Sequence, residues 1–172
     1  MSEEVRVKNT GLRGVTVADS AISFIDGEQG ILIYRGYRIE DLAEKSSYLE
    51  TVHLLLYGTL PSSAQLSELR QALRSRRQVP EFVLQSMRSW PKEAEPMDVL
   101  QAAIPMLAMA ETEANQNSRQ AVIKRAIALI AQMPTLVAAW HRIRNGQEVL
   151  PPDENLGHAA NFLWMLKGEK PE

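Results

Sequence analysis

The sequence predicts an all-α fold that carries one small β-hairpin near its N-terminus. Capping boxes at Ser47–Glu50 and Ser62–Gln65 each open a segment with leucines at helical spacing. A run from Met97 to Ala110 is apolar on almost every side, and a longer stripe from Val122 to Trp140 repeats at the helical period. Only residues 21–37 show the other periodicity, alternating around a turn that contains glycine.

In order along the chain, Ile22 and Phe24 alternate with smaller or polar residues, as do Ile31 and Ile33. Asp26-Gly27-Glu28-Gln29-Gly30 lies between them as the turn. A hairpin alone is marginal in water, so this one is expected to rest on another element. From Ile39 the pattern turns helical. Ser47 opens a helix with Leu49, Val52, Leu55 and Leu56 on one face, which Gly58 ends and Pro61 follows. Ser62 opens the next, with Leu66, Leu69 and Leu73. Pro80 opens a short helix through Phe82, Leu84 and Met87, and Trp90-Pro91 closes it.

The segment 96–110 leaves almost no polar face, so it is expected to be covered on all sides, inside a bundle or in a subunit contact. Ala103, near its middle, is the position where a charge is expected to break such a contact. Pro105 removes one main-chain hydrogen bond and predicts a kink or break. After the polar run Asn115 to Ser118, the longest helix carries Val122, Ala126, Leu129, Ile130, Met133, Leu136, Val137 and Trp140, with Pro134 expected to bend it. It ends near Asn145-Gly146, a length of roughly 39 Å at 1.5 Å per residue. Pro151-Pro152-Asp153 is expected to start a last helix through Leu156, Leu163 and Leu166, ended by Gly168. The organisation expected is an N-terminal arm over 1–20, the hairpin over 21–37 and a helical region over 38–172.

Composition narrows the function classes. The chain has 172 residues, 45% of them hydrophobic and 23% charged, ordinary values for a globular domain. It has no cysteine, which excludes disulfides, thiolate metal ligation and thiol catalysis within it. A net charge of −2 lacks the basic footprint of a nucleic-acid binder. No uninterrupted apolar run reaches transmembrane length, and the start Met-Ser-Glu-Glu-Val-Arg is too charged for a secretory signal. The expectation is a cytoplasmic protein that engages neither nucleic acid nor membrane.

Residue chemistry is sparse. The three histidines, His53, His141 and His158, stand far apart and match no metal-binding spacing, so structural roles are the simplest reading. Gly11-Leu12-Arg13-Gly14 could meet a phosphate with main-chain N–H groups and one guanidinium, but it also suits a surface turn with a solvated arginine. Arg70, Arg74, Arg76 and Arg77 cluster at a helix C-terminus, where cations oppose the macrodipole and are commonly solvated. Met97, Met106 and Met109 read as core filler rather than metal ligands. No catalytic or metal-binding residue is assigned.

Several phrases in order nevertheless resemble the N-terminal part of citrate synthases, and of the related 2-methylcitrate synthases. They are the stretch Gly11 to Asp26, the stretch Gly30 to Leu42 with its Tyr-Arg-Gly-Tyr-Arg, and Leu-Leu-Leu-Tyr-Gly-Thr-Leu-Pro at 54–61. Pro96-Met97, Leu-Ile-Ala-Gln-Met-Pro at 129–134 and His-Ala-Ala-Asn-Phe-Leu-Trp-Met-Leu at 158–166 follow. The resemblance implies the helical large-domain part of that fold. It also implies a homodimer through helices at about 81–89 and 96–111. For the complete enzyme it implies condensation of acetyl-CoA with oxaloacetate to citrate and CoA, an acyl transfer in the tricarboxylic acid cycle, with CoA as substrate rather than a tightly bound cofactor.

In that family an Asp removes a proton from the acetyl methyl group, one His stabilises the enol and another polarises the oxaloacetate carbonyl. The segments that carry them have no match here: the sequence contains neither a His-Gly nor a Gly-Gly dipeptide. The chain is therefore expected to be inactive alone, as a split subunit, a cleavage product or a shortened form. A second chain carrying the catalytic half is the partner expected. The alternative is a stand-alone, non-catalytic helical dimerisation or regulatory module. Family members also place a basic residue near the first glycine turn on CoA phosphate. Thr10 stands nearest that position, so Lys8 or Arg13 would serve, and Arg13 is the residue carried over. A further basic contact in the family falls here at Asn115 to Ser118, with Arg119 nearby, and no residue is assigned to it.

Overall fold

The computed structural model describes residues 11, 15–16, 18–111 and 116–171. They build a small antiparallel sheet and a series of helices, in two compact units that meet in sequence at Leu60 and Pro61.

In the first unit, β1 (Ser23–Asp26) pairs with β2 (Ile31–Tyr34), and Phe24 stands opposite Ile33. The Asp26 carboxylate accepts from the N–H groups of Glu28 and Gln29, each at 3.0 Å, and so holds the turn in shape. A third strand, β3 (Tyr37–Arg38), pairs with β2. Arg35 and Gly36 make the intervening turn with φ of +49° and +91°, conformations that suit glycine and strain arginine. The hairpin expected at 21–37 is thus present, with a strand too short to announce itself in the sequence. The helix α1 (Ile39–Lys45) packs on β2 and β3, which supplies the support a bare hairpin lacks.

Both capping boxes form. Ser47 opens α2 (Tyr48–Tyr57), accepting from the Glu50 N–H while Glu50 accepts from the Ser47 N–H. Gly58 ends it at φ +93°, the left-handed cap that only glycine adopts cheaply. In the second unit, Ser62 and Gln65 repeat the box at the start of α3 (Ser63–Arg74).

The remaining helices are α4 (Glu81–Ser89), α5 (Pro96–Met109), α6 (Arg119–Arg144) and α7 (His158–Lys167). The longest, α6, packs against α3, α4, α5 and α7. Its side chains Leu136, Ala139, Trp140 and Ile143 join Val83, Met87, Val99, Ala103 and Leu107 in the core. By length and mean hydropathy α6 could cross a membrane, a property that a search for uninterrupted apolar runs misses. Its burial against α3, α4, α5 and α7 accounts for part of that composition.

Neither α5 at Pro105 nor α6 at Pro134 is broken, so of the kink or break expected at Pro105 the break is absent. Proline at 105 leaves the Gln101 carbonyl without its helical partner, but Gln101 is exposed, so water can satisfy it. The last helix begins at His158, with Gly157 as its N-cap, and not at Pro151-Pro152-Asp153. The Asp153 N–H is instead taken by the Asn161 side chain at 2.7 Å, and its carbonyl by Arg77 at 2.9 Å. Those bonds hold residues 151–156 as a strap along α7 rather than as its first turn.

Candidate functional site

The sequence-predicted positions scatter. Arg13, Lys8 and Thr10, and with them the expected phosphate contact, lie outside the described residues, as does Asn115. Ser118 is described and serves as the N-cap of α6, accepting from the Ala121 N–H at 3.2 Å. Arg119 is the exposed first residue of α6, on the same turn.

The histidines remain apart and do different things. His53 is buried on α2, and its Nδ1 donates to the Thr59 carbonyl at 2.8 Å, since a carbonyl can only accept. Its ring lies 4.5 Å from that of Tyr57. It therefore fixes the chain just after the helix. His141 is exposed on α6. His158 is the first residue of α7 and half-buried. Burial, and then the positive charge of Arg77, lowers its pKa from the ordinary histidine value.

Arg77 is the residue that sequence reasoning misplaced. Within the cluster of four, Arg70 and Arg74 are exposed as expected, but Arg77 is only 3% exposed. Its Nη1 donates to the Asp153 carbonyl, and its own carbonyl accepts from Thr135 Oγ1 on α6 at 2.8 Å. Burial, and then the neighbouring Arg74, pulls its pKa down, while Asp153 opposes the shift. An arginine stays charged nonetheless. The strap is pinned from its other side as well. Lys170 Nζ lies 2.7 Å from Asp153 Oδ2, and the Asn155 N–H donates to Oδ1 at 2.8 Å. Led by the Lys170 contact, these bonds hold the Asp153 carboxyl below the usual carboxylate range. Trp164 Nε1 donates to the Pro151 carbonyl at 3.1 Å.

This polar node joins the end of α3, the middle of α6, the strap and the first turn of α7. Apart from the Lys170–Asp153 ion pair, each of these bonds has a main-chain group as one partner, so the chemistry the node performs is positioning. The only sequence sign of it is the density of arginine at 70–77, because its partners lie 58 and 76 positions away.

The second notable feature is α5. The sequence expects it to be covered on all sides, but within this chain it is covered on one. Val99, Ala103 and Leu107 face the core. Met97, Ala102, Pro105, Ala108 and Met109 are exposed, interrupted by Asp98 and Gln101. Phe82 on the adjacent α4 is 40% exposed. Ala103 therefore belongs to this chain's own core and not to an outward contact. Beside Pro105 and Ala108, an apolar hollow of about 350 Å³ opens between α5 and α6, with Glu111 and Arg125 among its lining residues.

Comparisons with known proteins agree with one another. The family model described as "Citrate synthase, C-terminal domain" matches residues 11–172. A citrate synthase of Synechocystis sp. is 36% identical over 172 residues, all of this chain and 43% of that protein. One of Acidithiobacillus ferridurans is 41% identical over 167 residues, 94% of this chain and 43% of that protein. Among solved structures, citrate synthase from Pyrobaculum aerophilum superposes with a TM-score of 0.86 at 34% identity, covering 99% of this chain and 48% of that one. A ternary complex of the Thermoplasma acidophilum citrate synthase with carboxymethyl coenzyme A and oxaloacetate gives a TM-score of 0.89 at 26% identity, covering 96% of this chain and 44% of that one. The chain thus spans less than half the length of these relatives.

Proposed function

Because the chain belongs to the citrate synthase family, we propose that it supplies the N-terminal helical scaffold of an enzyme condensing acetyl-CoA with oxaloacetate. The observation that carries this reading is the match over residues 11–172 to proteins of which it covers 43%. In this reading the polar node around Arg77 and Asp153 fixes α7 against α3 and α6, and the exposed side of α4 and α5 is the contact between two copies. The acid–base residues come from a further polypeptide segment, so the chain is inactive alone. CoA is bound as substrate, with Arg13 offered toward its phosphate. The compartment is the cytoplasm.

The apolar face of α5 also fits a different reading, a dimerisation or regulatory module without catalysis. Native mass spectrometry of the chain purified from its source separates the two. A complex with a second polypeptide that carries the remainder of the family's length supports the scaffold reading. Copies associated only with each other, with no citrate formed when that remainder is added, favour the module.

A further inference from the structure

Of the asparagines in the sequence, Asn145 alone is followed by glycine. The others precede Thr10, Gln116, Ser118, Leu156 and Phe162. Glycine has no side chain to hinder its own main-chain nitrogen, so Asn-Gly is the dipeptide in which that nitrogen most readily closes on the asparagine amide. Both residues are exposed at the end of α6. Gly146 has φ of +68°, and apart from its chain neighbours nothing lies within 4 Å of where its Cβ would stand. The closed cap nevertheless ties up both reacting groups. The Gly146 N–H donates to the Ile143 carbonyl at 3.1 Å and the Gln147 N–H to the Arg142 carbonyl at 2.8 Å, the paired bonds of a Schellman cap. The Asn145 side chain donates through Nδ2 to the His141 carbonyl at 2.7 Å. With ψ of Asn145 at 10°, its Cβ and the Gly146 nitrogen are far from the eclipsed arrangement that a five-membered ring through them needs.

We propose that Asn145 is a deamidation site whose rate is set by opening of the α6 C-cap, and that the product keeps the cap from closing again. The co-reactant is water. In the opened cap the Gly146 nitrogen gives its proton to solvent and attacks Asn145 Cγ. The new C–N bond closes a succinimide as the bond to Nδ2 breaks and ammonia leaves. Water then adds to either ring carbonyl, and the ring opens to aspartate or, with an additional methylene in the main chain, to isoaspartate. Neither product retains the Nδ2 donor that the His141 carbonyl accepts from. Each places a carboxylate at the negative end of the helix dipole. Isoaspartate also shifts the Gly146 and Gln147 N–H groups relative to their acceptors. The segment 146–149 is otherwise held by Arg142 Nε on the Glu148 carbonyl and by Val149 against the core, so deamidation loosens it where it leaves the helix.

The experiment is incubation of the full chain in mildly alkaline buffer, folded and in urea, with peptide mass spectrometry of every asparagine over time. Hydrogen exchange is then measured on the aged and the fresh folded protein. The expected result is that Asn145 converts several-fold faster than any other asparagine in urea, and several-fold more slowly in the folded chain, where conversion waits on local opening. In the aged folded chain the Gly146 and Gln147 N–H groups exchange faster than in the fresh one. The variant Asn145→Gln, aged in the same way, shows no such change. Faster conversion of another asparagine in urea overturns the site. Asn145 left intact in the folded chain after the unfolded one has converted also overturns it for the native protein. Equal rates folded and unfolded overturn control by the cap. Unchanged exchange at Gly146 and Gln147 in converted chains overturns the loosening.

Discussion

The Arg77 guanidinium donates to the main-chain carbonyl of Asp153 at 2.9 Å, across 76 positions of sequence. A buried cation spent on a backbone acceptor, in a loop with no helical bonds of its own, makes Arg77 the fastener of the strap. Arg77→Ala leaves that carbonyl with only the longer bond from the Leu156 N–H at 3.4 Å and opens space beside α6. It is expected to lower unfolding free energy by about 2 kcal/mol or more, since bonds to charged groups lie at the strong end. Urea denaturation of the variant checks this, with Arg74→Ala, an exposed neighbour, expected to change little.

The same node predicts a stepwise loss of stability in acid. His158 has a depressed pKa in the folded state, so the unfolded chain takes up its proton first. Stability is unaffected above the ordinary value of 6.5 and falls as pH drops below it, until the folded-state pKa is reached. Asp153 is also depressed, so its contribution is present above 3.8 and is lost as pH falls through its folded-state pKa. Thermal midpoints measured against pH should show both stages. His158→Gln should remove the upper one, and Lys170→Met should weaken the lower.

The helix caps give an independent check on the local reading. Ser47→Ala and Ser62→Ala each remove an acceptor from an N-terminal N–H group, and each is expected to cost about 1 kcal/mol. Glycine at either position should cost only a few tenths. Chemical denaturation of the four variants tests the ordering.

The two sides of α5 should respond differently to charge. Ala103→Asp buries a carboxylate in the chain's own core and is expected to unfold the second unit. Ala102→Asp, one residue away on the exposed side, should leave the fold intact and abolish association. Circular dichroism and sedimentation on both variants separate fold from contact.

These cases show what was legible in the sequence. Caps and stripes are local signals, so Ser47, Ser62 and Gly58 declare α2 and α3, and the stripe from Val122 to Trp140 declares α6. Pro151-Pro152-Asp153 imitates a helix start, and only the distant side chains of Arg77 and Asn161 reveal that its main chain is occupied otherwise. The burial of Arg77 was hidden for the same reason. In α5 the obstacle is different. When nearly every position is apolar, periodicity does not say which side faces inward, so Ala102 and Ala103 look alike until α4 and α6 are in place. The family resemblance needed several separate phrases, because each is short and only their order is distinctive.

Whether this citrate synthase-family chain turns over alone is decided by thiol release. The purified 172-residue chain is given acetyl-CoA and oxaloacetate, and free CoA is followed with a thiol reagent, to which the chain, having no cysteine, contributes nothing. No release above the buffer rate is expected. Sustained, oxaloacetate-dependent release accompanied by citrate from the chain alone would contradict it.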